Sequence, residues 1–65
     1  MPPKIRDLIG DLERAGFLRK GGKGSHRKYF HPRLQKPVVL SGNLGDDALH
    51  YQQKAVHRAI EDAKR

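Results

Sequence analysis

The sequence predicts a single α+β domain of order α-β-β-β-α, a three-stranded antiparallel sheet with both helices on one face. Three observations carry this. Apolar residues recur at helical spacing near both ends of the chain. The spacing shortens to strand-like runs between Phe17 and Ser41, and glycines and prolines mark each change of period. Sixty-five residues allow one domain spanning 1–65 and only a thin core, so lasting association with a partner protein is expected to help hold it together.

Residues 3–15 read as the first helix. Ile5, Leu8, Ile9 and Leu12 fall on one face; Pro3 suits a first turn, and Gly16 suits the left-handed position just after the last one. Gly10 costs a helix about 1 kcal/mol relative to alanine, which is tolerable if it lets another element approach closely. Residues 17–20 are the first strand, and Gly21-Gly22-Lys23-Gly24 is a glycine-rich turn. Residues 25–31 form the second strand, ended by Pro32, and 36–41, with Val38, Val39 and Leu40, the third. Short connections favour antiparallel pairing of neighbours. After a loop at 41–45, Asp46 or Asp47 offers an N-cap for a helix reaching about residue 64, with a stripe of Gln52, Ala55, Val56, Ala59, Ile60 and Ala63. A three-stranded sheet closes most simply when both amphipathic helices cover the same side.

Charge is segregated along the chain. Fourteen Lys and Arg face seven Asp and Glu, for a formal net charge of +7. No acid lies between Glu13 and Asp46, where Arg14, Arg19, Lys20, Lys23, Arg27, Lys28, Arg33 and Lys36 all fall. Such a block concentrates polyanions and supplies phosphate contacts, so nucleic acid is the expected partner, the plainer reading being a solvated face. The chain has no cysteine, which excludes a disulfide framework and a Cys-based zinc site. No apolar run approaches the ~20 residues needed to span a bilayer, and a cytoplasmic protein is expected.

Gly24-Ser25-His26 is the sharpest chemical feature, because it sets a histidine where a flexible turn meets a strand. Histidine is the side chain whose ordinary pKa, about 6.5, lets it take and give a proton near neutrality. Lys20, Lys23, Arg27 and Lys28 stand around it, suited to a phosphodiester and the charge that develops on it. Turn N–H groups can also cradle anions. RNA carries its own nucleophile, the 2′-hydroxyl, so breaking it needs a base, an acid and charge stabilisation but no metal or cofactor. Against this stands the plain reading of a surface histidine among lysines.

The chain resembles the HicA family of toxin ribonucleases from bacterial toxin–antitoxin systems. The pattern is Leu12-Glu13-Arg14-Ala15-Gly16-Phe17, a short basic strand, Gly24-Ser25-His26, then Tyr29 and His31-Pro32, followed by a valine-rich strand and a closing helix. The resemblance covers nearly the whole chain. It implies a fold like the double-stranded-RNA-binding domain, cleavage of messenger RNA, translation arrest, a bacterial cytoplasmic location, and neutralisation by a HicB-type antitoxin covering the active site. It also makes His26 the catalytic histidine; the residues around it, Lys20, Lys23, Gly24, Ser25, Arg27 and Lys28, are the expected RNA-binding set. Arg33-Leu34-Gln35 replaces the turn the family often has after His-Pro, so the second hairpin should differ in shape.

Other residues read more plainly. Lys54 and Arg58 are one helical turn apart and read as solvated surface, with Arg58 able to pair with Asp62. His50 and His57, at i and i+7, lack zinc spacing. His31 is either a second proton carrier or structural. Strand alternation puts His26, Lys28 and Phe30 on one face and Ser25, Arg27 and Tyr29 on the other. A catalytic His26 therefore belongs to the open face, with Tyr29 against the helices and Phe30 exposed. The alternative function is a non-catalytic double-stranded-RNA-binding module, but such modules carry a basic cluster where their last helix starts, where this chain has Asp46 and Asp47.

Overall fold

The computed structural model describes every residue except Met1, Ser25 and Arg65. Its elements are α1 (Ile5–Arg14), β1 (Leu18–Arg19), β2 (Arg27–Phe30), β3 (Val38–Leu40) and α2 (His50–Ala63), in the order the periodicities predict. The three strands form one antiparallel sheet, β1-β2-β3. No described helix is long and apolar enough to cross a membrane.

Helix α1 starts at the first residue of its apolar period, Ile5, two residues later than Pro3 suggests. The Pro3 carbonyl accepts the Ala48 N–H at 2.8 Å, which keeps Pro3 out of the helix. Lys4 takes the N-cap position in an extended conformation, and its own N–H is satisfied by Asp7 Oδ2 at 2.8 Å. The helix ends as Gly16 predicts. Gly16 has φ +94°; its N–H bonds Glu13 O, and the Phe17 N–H reaches back to Leu12 O. This paired closure satisfies two otherwise orphaned carbonyls and drops Phe17 into the core beside Leu12. Gly10 does not serve close packing: the nearest atoms to a Cβ there all belong to Arg14 of the same helix.

Helix α2 is shorter at its start than the two aspartates imply. Its N-cap is Leu49, whose N–H is held by the buried Gln52 Oε1 at 2.8 Å, while Gln52 Nε2 donates to Ser41 O. Asp46 and Asp47 are engaged elsewhere. Asp46 Oδ2 accepts the Asn43 N–H, the Asp46 carbonyl accepts the Ile5 N–H, and Asp47 bridges to Lys4 through both backbone and side chain. The aspartates thus tie the loop to the start of α1. A distant partner outcompetes the local capping preference.

The core gathers Ile5, Leu8 and Leu12 of α1, Phe17, Tyr29 of β2, Val38 and Leu40 of β3, Ala48, and Val56, Ala59 and Ala63 of α2. Ala55, placed in the stripe by its spacing, is exposed. Helix α2 packs on both α1 and β3. In the sheet Arg27, Tyr29, Val38 and Leu40 are buried while Lys28 and Val39 are exposed. Both helices therefore cover one side and leave the other open.

Candidate active site

The site is built on the β1–β2 hairpin. Leu18 pairs with Phe30 and Arg19 with Tyr29. The next rung joins the Lys20 N–H to Lys28 O at 2.9 Å, so two lysines stand opposite each other across the strands. Directly opposed residues share a face, and β2 pairs Lys28 with Val39 of β3. Leu18, Lys20, Lys28, Phe30 and Val39 thus form the open surface.

The hairpin turns back within the glycine-rich stretch that follows Lys20. The His26 N–H donates to Lys23 O at 3.0 Å, and His26 is exposed. His26 immediately precedes β2, at the end of this turn. Gly22 is the hidden requirement of this turn: it has φ +95°, and a Cβ there would stand 2.2 Å from the His26 carbonyl oxygen. Gly24, at φ +56°, has nothing within 4 Å of the corresponding position. Both glycines have left-handed backbone, but only the approach to the His26 backbone shows that Gly22 is the more tightly constrained.

The named residues divide accordingly. Lys20, Lys23, Gly24, His26 and Lys28 are all exposed along the open rim. Ser25 lies outside the described residues. Arg27 points the other way: it is 8% exposed, and its Nη1 donates to Gly42 O at 2.9 Å. Tyr29 lies on that same inner side, where burial pushes its phenol above the ordinary value; Glu13 adds to the shift, and Arg19 and Arg27 oppose it. Phe30 is half-buried rather than fully exposed.

His31 has structural work. Its ring packs on Phe17 with centroids 4.9 Å apart, and its Nδ1 accepts the Arg33 N–H at 3.1 Å, shaping the turn that follows. Arg58 and Asp62 form no ion pair among the described residues, and His50 and His57 belong to no group placed to hold a metal.

Among the described residues, no ion pair reaches the lysines of the open rim. The ion pairs among the described residues are Lys4–Asp47, Arg14–Asp11 and Lys64–Glu61, none of them in the hairpin. Like charges directly opposed across a strand pair are destabilising. A Lys20–Lys28 rung with no carboxylate beside it is suited to an anion that lies over both.

Comparison with known proteins agrees with this geometry at the level of the family. A family model described as the HicA toxin of bacterial toxin–antitoxin systems matches residues 5–64, nearly the whole chain. No curated protein and no solved structure matches it. A basic hairpin of this build, within a match running from the first helix to the last, identifies the chain as a member of the HicA toxin family, the toxin side of a toxin–antitoxin pair.

Proposed function

We propose that this toxin is an endoribonuclease that cuts messenger RNA without a metal and so arrests translation, with His26 as its acid–base residue. The observation that carries the reading is an exposed histidine at the end of a glycine turn, two residues from a rung of two lysines that no described ion pair reaches. In the reaction the imidazole accepts the proton of the RNA 2′-hydroxyl. The 2′-oxygen forms a bond to phosphorus as the bond to the 5′-oxygen breaks, and that oxygen leaves with a proton from the imidazolium or from water. Lys20, Lys23 and Lys28 hold the phosphodiester and stabilise the charge that gathers on its oxygens. Gly24 lies beside the reacting group, and the Gly-Ser-His pattern assigns Ser25 to RNA binding with it. Arg27 contributes from behind, by fixing the loop at Gly42 under the strand that bears the site.

A partner covering this rim would present carboxylates to Lys20, Lys23 and Lys28, as a HicB-type antitoxin would. Simple duplex-RNA binding is less favoured. The first turn of α2, residues 50–53, contains no Lys or Arg to grip a second phosphate row.

The test is cleavage of a defined RNA by antitoxin-free protein in EDTA. His26→Ala is expected to lose roughly 10²–10⁴-fold in rate, the usual contribution of a positioned acid or base, with its circular dichroism unchanged because the side chain is exposed. A variant that still cuts at the parent rate rules out His26 as the proton carrier.

A further inference from the structure

Beyond the reacting phosphate, the open face carries a second feature. Leu18 of β1 and Phe30 of β2 are directly opposed across the sheet, and Leu18 is 63% exposed. Together with Lys20, His31 and Pro32 they line a shallow pocket at the end of the hairpin away from the turn. Its floor is rigid, because His31 is held by Phe17 and by the Arg33 N–H. Its wall toward the catalytic end is Lys20, opposite Lys28.

We propose that this pocket is a nucleobase subsite for the same single-stranded RNA that His26 cuts. The inference rests on the ribonuclease reading above. Lys28 and Phe30 lie two residues apart on one side of β2, a step of about 6.7 Å, and His26 comes two residues before Lys28, just outside the strand. An extended RNA strand advances one nucleotide over a similar distance. With the scissile phosphate at His26, the next phosphate falls on the Lys20–Lys28 rung, and a base about two nucleotides from the cut meets the Phe30 ring. An aromatic ring flanked by cations takes a base by its π-face, because stacking is tolerant of sequence and the cations hold the adjoining phosphates. An acidic protein surface would satisfy the lysines but would leave the ring and Leu18 without a flat partner.

The cut in a short RNA is first mapped with the wild-type chain. Binding of His26→Ala protein is then measured by fluorescence anisotropy to RNAs carrying a single abasic nucleotide at each position around that cut. Removing the base two nucleotides away, on one side only, is expected to weaken binding about 5- to 150-fold, the range for one base stacked on an aromatic ring. The penalty should vanish when Phe30→Leu is combined with His26→Ala. It should shrink with Leu18→Ala, a change at an exposed position that the fold tolerates. A flat abasic profile in protein that binds and cuts RNA overturns the subsite and leaves the ribonuclease reading standing. A penalty that survives Phe30→Leu overturns it as well. Unchanged RNA binding with a weakened antitoxin complex assigns the pocket to the protein partner instead. Protein that neither binds nor cuts any RNA defeats both readings together.

Discussion

Arg27 is the sharpest test of how the cationic block divides between structure and RNA. By position it belongs with Lys20, Lys23 and Lys28, yet it is buried and donates to the Gly42 carbonyl at 2.9 Å. Arg27→Met keeps most of the apolar stem and removes the guanidinium. A hydrogen bond from a charged donor contributes about 1.5–3 kcal/mol, and losing it strands a carbonyl in a partly buried place. Taking about 2 kcal/mol, and about 4–8 °C per kcal/mol for a domain of this size, the melting temperature should fall by about 8–16 °C. Thermal unfolding by circular dichroism measures that fall, and RNA affinity is read well below the transition. The affinity of the folded variant should change less than that of Lys28→Gln, because Arg27 faces the helices. A melting temperature within about 2 °C of the parent, together with a loss of RNA affinity exceeding that of Lys28→Gln, would refute the reasoning and return Arg27 to the RNA surface.

Three further outcomes are expected. Lys28→Gln relieves the like-charge rung with Lys20, so at low salt it should stabilise the fold by a few tenths of a kcal/mol while weakening RNA binding and flattening its salt dependence; reduced stability would show that the lysines are not in conflict. Gly22→Ala should displace the His26 turn and reduce cleavage by at least about tenfold, whereas Gly24→Ala, with open space around it, should cost far less; equal effects on rate would deny Gly22 its special place. Tyr29 ionises less readily in the fold than at its ordinary value of 10.0. Its contribution is therefore complete below that pH, and it drains away as pH rises through the higher folded value, where the unfolded chain has already lost its proton. Tyr29→Phe should flatten the alkaline fall in urea midpoint, and parallel curves for the two proteins would contradict this.

What residues declare locally proved legible in this chain. The order of elements follows from apolar period, the end of α1 from Gly16, and the division of β2 into an inner side with Tyr29 and an outer side with Lys28 from alternation alone. These depend on neighbours within a turn or a pleat. The same alternation set Arg27 beside Tyr29, but charge type suggested an RNA contact, and only the fold supplies the Gly42 carbonyl that holds its guanidinium inside. Asp46 and Asp47 have the chemistry of a helix cap, yet they serve the start of α1, because Lys4 and Ile5 reach them across the whole chain. The Lys20–Lys28 rung and the Leu18–Phe30 pocket depend on register, which the length and closure of the glycine turn set. Sequence therefore determined which side chains could bear the chemistry and which way a strand turns them. Tertiary structure decided which of them meet, because pairing register and long-range hydrogen bonds join residues that no local pattern connects.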